Sequence, residues 1–410
     1  FKQKTAYEIM PSLVGSEMCI RDRTGVARTP MGSFQGVLST MSAPSLGSIA
    51  IQAAIKESNL KPEDVDDVIM GCVLPAGMGQ APARQAAIGA NIPVSTGATT
   101  INKMCGSGMR SAMIANDQII AGSSNISVAG GIESMSNTPY ILPKVRAGLR
   151  MGHGEVKDHM FIDGLEDAYE PGRLMGTYAE DTAEAYQFTR EQQDEFAIRS
   201  LKRAKTANED GTFKNEIVPV QIKTRKGETE IFNDEQPFTA DISKIPNLRP
   251  AFKKDGTVTA ANSSSISDGA AALVIMTLEE AEKRNIKPLA RIISHSTNSQ
   301  EPAWFTTAPI GAIKKVLEKA SWKLNDVDLF EINEAFAVVP MAAMKDLSLS
   351  ADIVNIHGGA CALGHPVGTS GARIIATLIT ALEKYNLDKG VASLCIGGGE
   401  ATAIAIEKFK

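Results

Sequence analysis

Apolar residues along the chain recur in a helical rhythm and a strand rhythm that alternate. Between Ser45 and Asp67, Ile49, Ala50, Ala53 and Ala54 share one helical face. Leu60-Lys61-Pro62-Glu63-Asp64-Val65-Asp66 then breaks the pattern, and Val68-Ile69-Met70 follows as a short apolar run. The spacing predicts an amphipathic helix, a turn and a buried strand. The same succession returns from Pro309 to Asp328, where Ile313, Val316, Leu317 and Ala320 precede Leu324-Asn325-Asp326-Val327-Asp328 and the run Leu329-Phe330-Glu331-Ile332. Asp326 stands 262 positions after Asp64, and Gly371-Ala372-Arg373 stands 263 after Gly108-Met109-Arg110. Ser127-Val128-Ala129-Gly130-Gly131 is likewise echoed by Leu394-Cys395-Ile396-Gly397-Gly398. Such a period points to one α/β unit used twice, with parallel β–α–β connections and helices on both faces of the sheet.

Residues 138–266 do not repeat. Pro139 to Asp163 carries Gly148, Gly152, Gly154 and basic residues without a clear period. Thr189-Arg190-Glu191-Gln192 reads as a capping box opening a helix with Phe196, Ala197, Ser200 and Ala204 on one face. Ile217-Val218-Pro219-Val220 predicts an edge strand, and Lys223 to Glu235 a solvated, charge-rich stretch. A segment of this kind between two like halves is expected to lie as an inserted loop domain over the active face. Residues 1–23 fit no part of this plan: they have no initiator methionine and no apolar signal-peptide core. They read as a sequencing or assembly artefact, expected to leave the first sheet a strand short and the protein less stable. The expected division is 1–23 artefact, 24–137 first half (continuing at about 267–289), 138–266 inserted loop domain, and 290–410 second half.

Composition narrows the function classes. A length of 410 residues calls for more than one small core. No apolar run approaches the roughly 18 residues of a membrane span, and a net charge of −5 offers no basic footprint for nucleic acid. Five scattered cysteines without a C-x-x-C pair argue against a disulfide framework and against zinc. They fit a reducing compartment. The cytoplasm is the expected location, with a mitochondrial one left open because residues 1–23 are expected to stand in place of the natural start.

Four places carry reactive residues. Thr99-Thr100-Ile101-Asn102-Lys103-Met104-Cys105-Gly106-Ser107-Gly108 runs from an extended segment into an Ala/Met/Ile-rich helix. That puts the Cys105 thiol at a helix N-terminus, where free N–H groups and the dipole favour thiolate and can hold an oxyanion. The other reading is a buried cysteine whose glycines serve only the turn. In Gly358-Gly359-Ala360-Cys361-Ala362-Leu363-Gly364-His365-Pro366-Val367-Gly368, Pro366 keeps His365 out of helical geometry. This turn is the repeat-equivalent of the one carrying Cys105, so a pseudo-twofold brings the two together. His153, His159, His295 and His357 read as structural. Cys395 ends a strand ahead of Gly397-Gly398-Gly399, whose N–H groups are open to close approach, with an inert buried thiol as the other reading. Asn333 stands between a strand end and a helix start, where a helix cap is the other reading.

Taken together, Asn102-Lys103-Met104-Cys105-Gly106-Ser107-Gly108, Asn333-Glu334-Ala335-Phe336-Ala337, Gly364-His365-Pro366 and Cys395-Ile396-Gly397-Gly398-Gly399 resemble the motifs of the thiolase family. The resemblance runs from about residue 24 to 410 and takes in Ala27-Arg28-Thr29-Pro30 and Val258-Thr259-Ala260-Ala261-Asn262-Ser263-Ser264. Each motif alone is weak, whereas four in this order are specific. The resemblance implies the thiolase fold: two duplicated mixed-sheet α/β halves packed as a layered core, with an inserted loop domain. It is nearest to the acetyl-CoA C-acetyltransferase branch, in which two acetyl-CoA condense reversibly to acetoacetyl-CoA and CoA through an acetyl-cysteine.

By the same resemblance, Cys105 takes the acetyl group, His365 accepts its proton, and Cys395 removes the α-proton of the second acetyl-CoA. One oxyanion site is His365 with a water held by Asn333; the other is the N–H pair of Cys105 and Gly397. Ser264 is expected against the pantetheine, with Met175 and Phe336 lining the pocket. CoA thioesters are substrates, no cofactor or metal is implied, and the assembly is a homodimer or homotetramer. The sequence departs from the pattern twice. Where relatives carry His-Met-Gly, whose His touches the substrate, this chain reads Arg173-Leu174-Met175-Gly176, with Arg173 expected to serve nearby. Gln236-Pro237-Phe238 stands where some relatives place an adenine-side arginine. Three rival readings are a broad-range 3-ketoacyl-CoA thiolase of fatty-acid β-oxidation, a decarboxylating ketoacyl synthase, against which Cys395 speaks, and a non-catalytic thiolase-like acyl-CoA or lipid-binding protein.

Overall fold

The computed structural model describes residues 21–224 and 227–409, so most of the expected artefact, residues 1–20, lies outside the described residues. The first half contains β1 (Arg21–Arg28), α1 (Ala43–Glu57), β2 (Asp67–Gly71), α2 (Pro82–Gly89), β3 (Gly97–Ile101), α3 (Ser107–Ile120), β4 (Ile126–Ser134) and β5 (Ser267–Thr277). Helices α4 (Met175–Tyr186) and α5 (Arg190–Glu209) lie between β4 and β5 in the chain. The second half contains β6 (Ala290–Ser299), α6 (Ala308–Ala320), β7 (Leu329–Ile332), α7 (Val338–Leu347), α8 (Ser370–Tyr385), β8 (Lys389–Ile396) and β9 (Glu400–Lys408).

The strands lie in the order β7-β8-β9-β6-β1-β5-β4-β2-β3. In the first half β3, β2 and β4 run parallel, and β4, β5 and β1 antiparallel. In the second, β7 and β8 run parallel, and β8, β9 and β6 antiparallel. The halves meet where Asp22 and Arg23 of β1 pair with Arg291 and Ala290 of β6, and the pseudo-twofold passes between these strands. The counterpart of β3 is reduced to one parallel bridge, Val354 to Phe330. The duplicated unit is therefore present as a mixed sheet rather than a purely parallel one. The three residues between β8 and β9 can only reverse the chain, because a parallel partner needs a long crossover. The glycine echo is out of register: Gly130-Gly131 lie inside β4, whereas Gly397-Gly398 lie beyond the end of β8.

Both faces of the sheet are covered, which is why its strands read as continuous apolar runs. In β5, Ala270, Ala272, Val274 and Met276 pack on the α1 and α2 side, while Ala271, Leu273 and Ile275 pack with α3 and α8. In β9, Ala401, Ala403 and Ala405 face the α6 and α7 side, while Ile404 and Ile406 face the centre. Helices α3 and α8 form the middle layer, and α8 is buried all round from Ser370 to Leu382. The core stripe of α1 is Leu46, Ala50, Ile51, Ala54 and Ile55; Ile49 and Ala53 are only half-buried, a rotation from the expected face.

The expected missing strand is not missing. Arg21, Asp22 and Arg23 pair with Thr277, Met276 and Ile275 of β5, and Val26 and Ala27 are buried beyond them. Strand pairing is made by backbone N–H and C=O groups, which this tract supplies as well as a Val/Ile-rich one.

In the intervening segment α5 opens on the expected capping box, Thr189 with Gln192, and buries Phe196, Ala197, Ser200 and Ala204. The expected edge strand and solvated stretch are instead an antiparallel hairpin of Val220–Thr224 and Gly227–Ile231, its second strand largely exposed. Buried ion pairs fasten this segment to β1. Arg28 donates to Glu216 at 2.6 Å and to the two carboxylate oxygens of Asp234 at 2.6 and 3.0 Å.

Candidate active site

The turn from β3 into α3 is held by short local bonds. Met104 takes a left-handed backbone, φ 48°. Asn102 Oδ1 accepts the Met104 N–H at 2.9 Å, and the Lys103 N–H donates to Ser107 Oγ at 2.8 Å, which itself donates to Met104 O at 2.7 Å. Cys105 thus stands directly before Gly106, the N-cap of α3. The His365 turn likewise leads into α8, although His365 stands four residues before Thr369, the N-cap of that helix. Gly108 and Gly371, one repeat apart, let the two helix starts touch. A Cβ on Gly108 would lie 2.8 Å from Ala372 N and 2.9 Å from Thr369 O, and one on Gly371 would lie 2.2 Å from Met109 N. Only glycine permits this approach, which sets one reactive turn against the other.

The His365 N–H donates to Ser265 O at 3.0 Å, and the ring is buried. Ser370 Oγ lies 2.5 Å from His365 Nδ1 and 3.0 Å from Pro366 O. A carbonyl oxygen only accepts, so the hydroxyl proton goes to Pro366 and Nδ1 carries the hydrogen given to Ser370. The lone pair is then on Nε2, which is buried without a partner. Burial, and secondarily the Arg373 guanidinium, push the imidazole down to about 3, so it rests as a neutral base. Asn333 directly follows β7, with its N–H on Ser393 O at 3.0 Å and its Nδ2 3.5 Å from His365 Nδ1. It is not the helix cap, since α7 begins only after Ala337.

The half-buried Cys105 thiol is pushed up to about 11 by its apolar surroundings, against the pull of the Gly397 N–H and its own N–H on the sulfur. The expectation of a resting thiolate is therefore corrected: desolvation outweighs the helix terminus. Two N–H groups converging beside a nucleophile form the donor pair of an oxyanion hole. Cys395, fully buried near the end of β8, is raised well above the ordinary thiol range by burial and by the neighbouring Cys105. An ion pair between Lys103 and Glu400 ties the Cys105 turn to the strand that follows Gly397-Gly398-Gly399.

A mainly apolar cavity of about 500 Å³ opens at these groups, lined by Cys105, His365, Gly397, Met175, Ser264 and Phe336. Asn333 and Cys395, both buried, are not among its lining residues. Phe161, Leu165, Phe252 and Phe305 are among its other lining residues. They stand outside the sequence motifs, because apolar residues scattered over separate segments have no period to betray a shared surface. Arg173 does not serve at the cavity. Its guanidinium lies 3.8 Å over the Tyr178 ring, paired with Glu170 and Asp181, and Leu174 lines the cavity instead. A larger hollow of about 770 Å³, between β1, α1 and residues 214–221, holds none of the reactive groups. Among the described residues no three or more His, Cys, Asp or Glu are grouped to hold a metal, and no helix is long and apolar enough to cross a membrane.

Comparison with known proteins agrees with this geometry. The thiolase N-terminal domain model matches residues 24–279 and the thiolase C-terminal domain model residues 286–408. Acetyl-CoA acetyltransferase 2 of Arabidopsis thaliana is 50% identical over 394 residues, covering 95% of this chain and 97% of that protein. The acetyl-CoA acetyltransferase of Chromobacterium violaceum is 47% identical over 383 residues, covering 93% and 97%. The crystal structure of the Bacillus anthracis acetyl-CoA acetyltransferase matches with a TM-score of 0.93 at 42% identity, over 96% of this chain and 99% of that one. The Acat5 thiolase of Ascaris suum, solved in complex with coenzyme A, matches with a TM-score of 0.90 at 41% identity, over 95% and 100%. With both halves of a duplicated fold matched and a cysteine turn set against a histidine turn at its centre, the chain belongs to the thiolase family.

Proposed function

We propose that the protein is an acetyl-CoA C-acetyltransferase, an acyltransferase that condenses two acetyl-CoA to acetoacetyl-CoA and CoA and runs the reverse thiolysis through the same acetyl-cysteine. The observation that supports this reading most is the close approach of the two helix starts, with Cys105 and a His365 whose Nε2 is free both lining one cavity. The relatives' names and the CoA complex of the Ascaris suum protein support the substrate class.

In the first half-reaction the Cys105 sulfur attacks the thioester carbonyl while its proton passes to His365 Nε2. Both groups rest neutral, so attack and proton transfer proceed together. The oxyanion forms at the N–H groups of Cys105 and Gly397. The C–S bond to CoA breaks, and Cys395 gives its proton to the departing thiolate. A buried thiol that rests protonated becomes a base only by such a transfer. In the second half-reaction the Cys395 thiolate takes the α-proton of the next acetyl-CoA. The enolate oxygen is held by protonated His365 and by a water on Asn333. The new C–C bond forms at the acetyl carbonyl, the bond to Cys105 breaks, and His365 returns the proton to the Cys105 sulfur. Ser264, Met175 and Phe336 hold the pantetheine arm. Every acyl and proton acceptor in the scheme is a side chain or CoA, so no cofactor or metal enters. The working form is a homodimer or homotetramer in the cytoplasm, whose reducing chemistry suits two working thiols.

Incubation with acetyl-CoA followed by intact-mass measurement tests the roles. Wild type and Cys395→Ala are expected to acquire one acetyl group, and Cys105→Ala none; only wild type then forms acetoacetyl-CoA. Acetylated Cys105→Ala would remove the nucleophile assignment, and steady thiolysis of substrates longer than C8 would favour a broad-range 3-ketoacyl-CoA thiolase.

A further inference from the structure

Arg373 is among the largest fully buried side chains of the described residues, at 1% exposure in the part of α8, Ser370 to Leu382, that is buried all round. A guanidinium so placed is costly, and an apolar side chain would fill the same space more cheaply. Its contacts indicate what it does there. Glu331 and Asn333, two residues apart at the end of β7, both meet it. Nη1 lies 3.7 Å from Glu331 Oε2, and Nη2 lies 3.3 Å from Asn333 Oδ1. Glu334, Glu216 and Arg28 are the other charged groups around it, from the turn after β7, the intervening segment and β1. Nη1 has no hydrogen-bond acceptor of its own, so the guanidinium is held by charge at one end and by the Asn333 amide at the other.

A guanidinium has only donors, so the atom of Asn333 that faces it must be the oxygen. The amide is thereby fixed with its Nδ2 turned the other way, where it stands 3.5 Å from the imidazole of His365. An unheld amide has two orientations; His365 Nδ1 gives its hydrogen to Ser370 and so does not hold Nδ2, which leaves the guanidinium to choose between them. The sequence contains the contrast: Arg110 holds the equivalent place in the first repeat, where its side chain is only half-buried. The duplicated motif is thus used differently in the half that carries Asn333.

We infer that Arg373 is a positioning residue for the condensation step: through its bond to Asn333 Oδ1 it sets the amide that holds the enolate-stabilising water. This rests on the role given to Asn333 in the proposed function, and the experiment separates the two. Asn333→Ala, Arg373→Lys, Arg373→Met and the double variant Asn333→Ala/Arg373→Met are compared with wild type in acetoacetyl-CoA synthesis, with circular dichroism to confirm the folded state. Arg373→Lys keeps the buried positive charge and is read if Arg373→Met does not fold; it is paired with Asn333→Ala in the same way. We expect kcat to fall at least tenfold in Asn333→Ala and Arg373→Met, and at least fivefold in Arg373→Lys, with KM within twofold. The double variants are expected to be no slower than Asn333→Ala, because a positioning residue has nothing left to position. A general structural role would instead lower thermal stability, and its effect would multiply with that of Asn333→Ala. Loss in Asn333→Ala with a folded Arg373 variant within threefold of wild type, or a multiplicative double, overturns the inference alone. An unchanged Asn333→Ala overturns the role of Asn333 and the inference with it.

Discussion

At their shared cavity Cys105 rests as a thiol and His365 as a neutral imidazole, and the reason is desolvation. A cysteine at a helix N-terminus with glycines after it has the chain pattern of a lowered thiol pKa. Here Cys105 packs against two apolar clusters, one holding buried residues of α3 and α8 and one holding Val367, and burial pushes the thiol up to about 11. The sign of the consequence follows directly. A raised acid releases its proton at higher pH, so between pH 7 and 10 the thiolate fraction is small and grows about tenfold per unit. Inactivation of the free enzyme by iodoacetamide, assigned to Cys105 by peptide mass, is therefore expected to accelerate across that whole range. A plateau at or below the pKa of about 8.5 of a free thiol would show that the helix terminus wins after all.

At the scale of elements, the site is made by two helices starting side by side. Neither β3–α3 nor the turn before α8 contains a complete site; the contact of Gly108 with Gly371 completes it. Gly108→Ala puts a methyl group against backbone atoms of Thr369 and Ala372, which cannot rotate away as a side chain would. The expected result is a destabilisation of about 1–3 kcal/mol, typical of overpacking, seen as a lower melting temperature, together with at least a tenfold slower acetylation of Cys105. Unchanged acetylation would mean that the two turns keep their relation without this contact.

For the whole molecule, the same duplication that builds the site leaves surface to cover. Among the described residues no strand pairs with the outer edge of β3, and proteins seldom leave such an edge open. Leu142, Leu149, Met151 and Val156 are exposed on the segment that runs out between the Tyr140–Ile141 and Lys157–Asp158 strands, with Met151 98% exposed. Exposed apolar residues of this kind are what the proposed assembly would cover. Sedimentation at micromolar concentration is expected to give a dimer or tetramer, and Met151→Asp to lower the assembly by one step. A monomeric wild type would remove the proposed assembly.

The sequence by itself determined the duplicated α/β plan, the order of the four reactive motifs and the capped helix α5, because each is local. Periodicity, turn residues and caps act between neighbours a few positions apart, and the repeat of 262 positions displays the same local code twice. Tertiary structure decided what depends on surroundings. It paired Arg21-Asp22-Arg23 into β1, because a strand is joined through its backbone whatever its side chains are. It raised Cys105 where the chain pattern suggests lowering, because desolvation depends on what packs against a sulfur. It turned Arg173 away from the cavity and gave its expected place to Leu174, and it gathered Phe161, Phe252 and Phe305 from separate segments into one wall. It also set Arg373 behind Asn333, a contact between residues forty positions apart that no local pattern encodes.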